Sequence, residues 1–333
     1  MHLQIALLLL FATTSPATAQ VLDLSPLETT FNRIANSARA KIGVALIHLE
    51  SGRLIVIRGD ERFPMASVVK LPIAIEVLAQ ISEGKLSLDR QVWIGPSDIR
   101  PCCTLSRRHP NGAISRTVGE LLELALIESD NTAADSLLAL VGGPPRVEWR
   151  LRALGFTTIN VNRSEGQLLL DMAGVVGAPP PEQWTLELQR RLVDEVSKDA
   201  LKIGRERFLQ DERDTATPYD MALLLGRLQL GNLLPAAQTN ALLNLMSRSK
   251  TGPRRIKGRL PADTHVAHKT GTTTVVINDV GVITLPPDSA IGGHLVLSVF
   301  VTNDSHVTRM ERAIAQLSAA AFEYFTGKTI SPR

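Results

Sequence analysis

The sequence contains little cysteine, and the cysteine it has cannot build a disulfide framework. Only Cys102 and Cys103 occur in the 333 residues, and they are neighbours in the chain. Adjacent residues are too close for relaxed disulfide geometry, so we expect two thiols in a loop. The chain also lacks a His and Cys cluster with the spacing of zinc ligands, so the sequence predicts neither a metal nor an organic cofactor.

Aromatic residues are scarce and the charge is nearly balanced, which argues against a nucleic-acid partner. Phe, Trp and Tyr make up 4% of the chain, and 36 Lys and Arg residues stand against 33 Asp and Glu residues. No basic run is interleaved with aromatic residues, as a nucleic-acid groove would require. Nothing marks a self-pairing surface either, so we expect a monomer that acts on a small molecule.

The first nineteen residues have the pattern of an export signal. A short apolar run, IALLLLFA, precedes the small residues Ala17 to Ala19, which fit a cleavage site. Eight apolar residues are too few to span a bilayer. We therefore expect residues 1–19 to be removed and the remaining chain to be periplasmic or secreted, with no membrane segment. An uncleaved, membrane-retained N-terminus is the alternative.

The order of helix and strand patterns predicts an α/β (α+β) fold. A helix and a two-strand hairpin open the chain, helices fill its middle, and three strands and a helix close it. The strands of the two ends can pair into one five-stranded antiparallel sheet that helices cover. We expect one catalytic domain over 20–333, with a sheet lobe of about 20–62 and 255–333, a helical lobe of about 63–254, and the active site between them.

Ser67 and Lys70 form the first of three short motifs that carry chemistry. The stretch SVVK begins a helix pattern, so one turn places both side chains on the same face. Burial disfavours the charged form of a lysine, and a neutral lysine can act as a base. SDN (Ser129–Asn131) follows between two helix patterns, and KTG (Lys269–Gly271) lies on a strand pattern. Three such motifs in this order are typical of class A β-lactamases and penicillin-binding proteins.

The motifs supply what acyl transfer needs: a nucleophile, a base, an acid for the leaving nitrogen and donors for the oxyanion. Ser67 would be the nucleophile, activated by Lys70, and Ser129 would relay a proton to the leaving nitrogen. The other motif positions would bind substrate: Asn131 a side-chain carbonyl, Lys269 and Thr270 a carboxylate, and Thr272, through its backbone N–H, the oxyanion.

From about residue 25 to 325 the chain resembles the class A serine β-lactamases, a family of penicillin-recognising serine enzymes. The stretch VNRSEGQL matches the omega loop of that family. This resemblance implies that Glu165 activates the water that releases the acyl-enzyme, and that Arg163 pairs with Asp214 to tie the two ends of the loop. Arg255 matches the arginine with which some members bind the substrate carboxylate. Glu165 is also an alternative base for acylation, acting through water.

The omega loop departs from the family pattern in two ways. Leu169 stands four residues after Glu165, where the family usually has an asparagine that helps to hold the hydrolytic water. The second departure is an insertion of about 168–210 in the loop. Within it, apolar residues recur at every fourth position from Trp184 to Ala200. This stripe predicts one extra helix over about 182–202. The insertion is either surface decoration or a lid that reshapes the substrate cleft.

Each residue taken alone has a simpler explanation. A serine at a helix start is usually an N-cap, SDN could be a turn between helices, and Glu165 could be a solvated loop acid. Together the motifs favour hydrolysis of the β-lactam amide of penicillins and cephalosporins through an acyl-enzyme, a cause of antibiotic resistance. One alternative is a peptidase that acts on the D-Ala-D-Ala ends of cell-wall peptides. The other is a β-lactam receptor that is acylated and then loses the acyl group only slowly.

Overall fold

The structure, a computed structural model, describes residues 23–302 and 306–330, and the predicted export signal, 1–19, lies outside them. Its strands are β1 (Lys41–His48), β2 (Arg53–Ile57), β3 (Phe63–Pro64), β4 (Gln91–Ile94), β5 (Ile114–Thr117), β6 (Thr215–Ala216), β7 (Val266–Thr272), β8 (Val276–Thr284) and β9 (His294–Thr302). Its helices are α1 (Ser25–Ser37), α2 (Lys70–Ser82), α3 (Cys103–Arg108), α4 (Val118–Ile127), α5 (Asn131–Leu140), α6 (Gly143–Ala153), α7 (Glu165–Ala173), α8 (Leu186–Asp194), α9 (Lys198–Gln210), α10 (Pro218–Gln229), α11 (Ala236–Ser247) and α12 (Val307–Thr326).

Five strands pair into one antiparallel sheet in the order β2–β1–β9–β8–β7. The N-terminal hairpin of β1 and β2 joins the C-terminal strands through β9, so the sheet unites the two ends of the chain. The predicted α/β (α+β) fold with a five-stranded antiparallel sheet is confirmed. Strand β7 lies at one edge, so one side of its backbone has no neighbouring strand.

Alternating side chains bury both faces of the sheet. Along β9, Leu295 and Leu297 belong to the apolar cluster that contains α1 and α12. Val296 and Phe300 belong to the cluster formed with the helices of the middle of the chain. Helices therefore cover both faces, as the sequence predicts.

Helix α2 lies at the centre of the middle region. All its residues from Lys70 to Gln80 are buried, as in a helix that other elements surround. Its apolar side chains share one cluster with those of α4, α5, α6, α10 and α11. The boundaries of the sheet lobe and the helical lobe stay a prediction. Within residues 23–302 and 306–330, no helix combines the length and apolar character that crossing a membrane requires.

The insertion contains two helices, α8 and α9, so the prediction of one helix over about 182–202 is wrong. Ser197 breaks the helix, because its hydroxyl accepts the N–H of Ala200 and caps the start of α9. Helix α9 then packs closely on the end of α7. A Cβ atom on Gly204 would lie 2.5 Å from the backbone nitrogen of Gly174, so this contact requires glycine.

Cys102 and Cys103 form a disulfide with each other, so the expectation of two thiols is wrong. Both residues have positive φ, 90° and 78°, a conformation that residues with a Cβ atom rarely adopt. This backbone conformation lets adjacent side chains meet, and sequence spacing does not reveal it. The pair lies at the start of α3, where Cys103 Sγ is 3.6 Å from the carbonyl oxygen of Ser129.

Candidate active site

Ser67 and Lys70 lie together where the chain enters α2. Ser67 belongs to a 3₁₀ turn, Ala66–Val69, and Lys70 is the first residue of the α-helix. Lys70 Nζ donates a hydrogen bond to Ser67 Oγ at 2.8 Å. The candidate nucleophile and its candidate activator are therefore in direct contact.

Four oxygen atoms lie within 3.0 Å of the amine of Lys70, which is buried. Besides Ser67 Oγ, they are the carbonyl oxygen of Ser129 at 2.7 Å, Asn131 Oδ1 at 2.7 Å and Glu165 Oε1 at 3.0 Å. An ammonium group donates three hydrogen bonds, so these oxygens share its protons. The amine thus joins the first motif, the second motif and the omega loop at one point.

Glu165 enters this centre from the first position of α7. Its Oε1 lies 3.4 Å from Ser67 Oγ and 3.0 Å from Lys70 Nζ, and the residue is 6% exposed. A carboxylate only accepts hydrogen bonds, so Glu165 can take a proton from either neighbour.

Ser129 connects the two lysines of the site. Its Oγ accepts hydrogen bonds from Lys269 Nζ at 2.9 Å and from Lys70 Nζ at 3.3 Å. The backbone of Ser129 has φ of 60°, in the left-handed region, and such strained residues cluster at functional sites. Asp130 fixes this turn, since its carboxylate caps α5 through Ala133 N–H and accepts Leu105 N–H.

Lys269 is fully buried on β7, in contact with Ser129. Burial removes its charge from water and holds the pKa of Lys269 well below the ordinary value of lysine, and the positive charge of Lys70 acts in the same direction. Its neighbour Thr270 shares a hydrogen bond with Thr251, Oγ1 to Oγ1, at 2.6 Å. Lys269 and Thr270 therefore both lie buried on β7, the edge strand of the sheet.

Arg255 reaches the same edge from outside the motifs. Its guanidinium is buried and donates to the carbonyl oxygens of Gly271 and Asn278 at 3.3 and 3.0 Å. Nη2 donates to Thr272 Oγ1 at 2.8 Å, and Glu311 Oε1 lies 3.3 Å from Nε. The positively charged guanidinium of Arg255 is therefore in direct contact with Thr272, the last residue of the KTGT stretch.

Arg163 and Asp214 meet at the base of the omega loop, as the resemblance implies. Arg163 Nε lies 2.6 Å from Asp214 Oδ2, and both residues are buried. Asp214 Oδ1 also accepts the backbone N–H groups of Asn162 and Arg163 at 2.7 and 3.1 Å. The pair therefore joins the two ends of the loop directly.

Within residues 23–302 and 306–330, no group of three or more His, Cys, Asp or Glu side chains could hold a metal ion.

A model of the beta-lactamase enzyme family matches residues 26–325. The chain belongs to this β-lactamase family. Beta-lactamase VEB-1 of Pseudomonas aeruginosa is 31% identical over 336 residues, which cover 97% of each chain. Extended-spectrum beta-lactamase PER-1 of the same species is 29% identical over 86% of this chain and 83% of its own. The solved structure of an ancestral (GNCA) beta-lactamase class A is 31% identical, with a TM-score of 0.72, covering 90% of this chain and 100% of its own. The resemblance to class A is confirmed.

The β-lactamase has no polar side chain at the position where the family usually has an asparagine. Leu169 lies one helical turn after Glu165 on α7 and is partly buried. No side-chain hydrogen bond joins residues 175–210 of the described chain to Ser67, Lys70 or Glu165. Among the described residues, 175–210 therefore provide no side chain that takes the place of the asparagine in these contacts.

The sequence analysis did not predict two buried residues of the β-lactamase that support the start of α7 in the omega loop. Asp135 on α5 accepts the backbone N–H of Glu165 at 2.7 Å, and Arg100 Nε lies 2.7 Å from Asp135 Oδ2. One signal was available, because Asp135 stands one helical turn after Asn131 and so shares its face. Nothing local in the sequence connects either residue to Glu165.

Proposed function

We propose that this β-lactamase hydrolyses the β-lactam amide of penicillins and cephalosporins through an acyl-enzyme on Ser67. The arrangement around Lys70 Nζ carries the proposal. A nucleophile, a carboxylate and two groups of the SDN motif lie within 3.0 Å of this single amine.

In the first step, Ser67 Oγ attacks the lactam carbonyl carbon while its proton passes to the base. Lys70 is that base once its amine is neutral, and Glu165 is near enough to receive the proton that Lys70 must first lose. Glu165 can also take the serine proton itself, directly or through water. The backbone N–H groups of Ser67 and Thr272 would stabilise the oxyanion.

Ser129 then completes the opening of the ring. As the C–N bond breaks, the ring nitrogen takes the hydroxyl proton of Ser129, and Lys70, with Nζ 3.3 Å from Ser129 Oγ, replaces it. The carboxylate of the substrate would lie between Lys269, Thr270 and the guanidinium of Arg255, where positive charge is concentrated.

Before the second step, Glu165 returns its proton to Lys70, which ring opening has left neutral. Glu165 then takes a proton from a water molecule that attacks the ester carbonyl carbon, and this proton passes to Ser67 Oγ as the ester bond breaks. Glu165 must supply this step without the usual asparagine, because Leu169 has no polar atom to hold the water. We propose that the enzyme works in the periplasm or outside the cell, as a monomer and without a membrane segment, and that its turnover protects a bacterium from β-lactam antibiotics.

Mixing the enzyme with excess chromogenic cephalosporin tests the proposal. Sustained colour release that the Ser67→Ala variant abolishes is the expected result. A burst equal to the amount of enzyme, with no further release, would instead identify a β-lactam receptor. Hydrolysis of acyl-D-Ala-D-Ala peptides alone would identify a peptidase.

A further inference from the structure

We propose that the insertion of the omega loop positions Glu165 through a chain of three buried side chains: Trp184, Arg100 and Asp135. The proposal rests on the proposed function, because it assigns the insertion to the release step that Glu165 performs. None of the three is a catalytic residue: Asp135 contacts the backbone of Glu165, and Arg100 and Trp184 act on Glu165 through Asp135.

Asp135 holds the start of α7, where Glu165 is the first residue. Its Oδ1 accepts Glu165 N–H at 2.7 Å, and its Oδ2 accepts Gly166 N–H at 3.1 Å. The first N–H groups of a helix have no partner within the helix and favour a negative charge. A buried carboxylate therefore fixes the backbone from which the catalytic carboxylate extends.

Arg100 keeps that buried carboxylate in place. Its Nε donates to Asp135 Oδ2 at 2.7 Å, and its Nη1 donates to the carbonyl oxygen of Ser97 at 2.7 Å. Burial raises the pKa of Asp135, the nearby Glu165 carboxylate acts the same way, and the positive charge of Arg100 opposes both. Without the guanidinium, Asp135 would be a buried anion close to a second one.

Trp184 brings the insertion into contact with this pair. The indole is 1% exposed, the Arg100 guanidinium lies over its ring at 5.4 Å from the centroid, and Nε1 donates to the carbonyl oxygen of Pro179 at 2.8 Å. Gly166 makes room for this packing. A Cβ atom there would lie 2.5 Å from Arg100 Nε and 3.0 Å from a ring carbon of Trp184.

Gln189 of α8 ties the insertion to the same segment at a second point. Its side chain is buried, and Nε2 donates to the carbonyl oxygen of Ile99 at 2.7 Å. The insertion therefore makes two contacts with this segment. Trp184 packs on the guanidinium of Arg100, and Gln189 hydrogen-bonds to the backbone of the preceding residue, Ile99. A segment that only decorated the surface would not bury a tryptophan and a glutamine against the support of a catalytic group.

The variant Trp184→Leu tests the chain of contacts, with Trp93→Leu as the matched control because Trp93 is 64% exposed on β4. Acylation and deacylation are measured separately, by stopped flow and by the decay of acyl-enzyme mass. We expect deacylation to slow by roughly tenfold or more, since small misplacements of catalytic groups have effects of this size. Acylation, and the control variant, should change by less than about twofold.

A double-mutant cycle distinguishes positioning from general damage. In the Glu165→Ala background, Trp184→Leu should slow deacylation no further, because the group that it positions is gone. Among single variants, Arg100→Lys should retain more deacylation than Arg100→Met, since it keeps the charge beside Asp135. This second pair also decides the matter if Trp184→Leu does not fold.

Three results would overturn the inference: unchanged deacylation in Trp184→Leu, an additive loss in the Glu165→Ala background, or changes in KM that differ between a penicillin and a cephalosporin. The last would indicate a lid. Failure of the proposed function looks different, since the wild-type enzyme would then form no acyl-enzyme or show no release at all.

Discussion

Lys70 Nζ lies 3.0 Å from Glu165 Oε1, although the two residues belong to different motifs and both are buried. Proton transfer between them would give the neutral amine that acylation needs and would protonate the carboxylate that deacylation needs. The two steps of the proposed reaction therefore use the same pair in opposite protonation states.

Replacing Glu165 by glutamine separates these steps. We expect Ser67 still to be acylated, since Lys70 remains in contact with it, and release to slow by at least about a hundredfold, because no carboxylate is left to activate water. Mass spectrometry of the protein after mixing with a penicillin would show a persistent adduct. The Ser67→Ala protein is the control and should show none; rapid loss of the adduct from Glu165→Gln would contradict the assignment.

The alkaline side of the pH profile should report Lys269. Because burial lowers the pKa of Lys269, its ammonium loses the proton at lower pH than a free lysine does. We therefore expect kcat/KM for substrates with a free carboxylate to fall as pH rises through this lowered pKa. A methyl ester of the same substrate, which offers no carboxylate, is the control. Equal alkaline losses for acid and ester would argue against binding by Lys269.

The lowered pKa of Lys269 also affects stability. The free energy of unfolding should rise with pH, whereas kcat/KM should fall. Between the lowered pKa of Lys269 and the ordinary pKa of lysine, the unfolded chain binds a proton that the folded chain has lost. The free energy of unfolding should therefore rise with pH across this window. Urea unfolding of the wild type and of Lys269→Met at several alkaline pH values measures this contribution, which the variant should lack.

The sequence predicts local parts of the site well and distant supports poorly. Ser67 and Lys70 are one helical turn apart, so periodicity alone places them together. The Ser197 cap that divides the insertion competes with an apolar stripe that continues past it. Asp135 holds the backbone of a segment far along the chain, and no local pattern records such a contact. The positive φ of Cys102 likewise leaves no trace in spacing.

Arg255 and Arg254 offer a matched pair for the carboxylate site. Both contact Glu311, but Arg255 is 4% exposed and donates to Thr272, whereas the Arg254 side chain is 71% exposed. We expect Arg255→Leu to raise KM for carboxylate-bearing substrates by roughly tenfold, as the loss of one charge-assisted hydrogen bond implies. Arg254→Leu should leave KM nearly unchanged. Equal effects would show that the guanidinium of Arg255 serves only the fold.

The contact of Arg163 with Asp214 should contribute more to stability than the exposed ion pairs beside it. Asp214 is 1% exposed and would become a buried, unpaired carboxylate in Arg163→Leu, so we expect a loss of about 3 kcal/mol in the free energy of unfolding. Arg213 pairs with Asp211 and Asp171 on the same loop, but its side chain is 52% exposed. Removing it in Arg213→Ala should cost less than about 1 kcal/mol. Urea midpoints at constant m-value measure both losses, and a similar loss in the two variants would mean that the buried pair does not hold the loop.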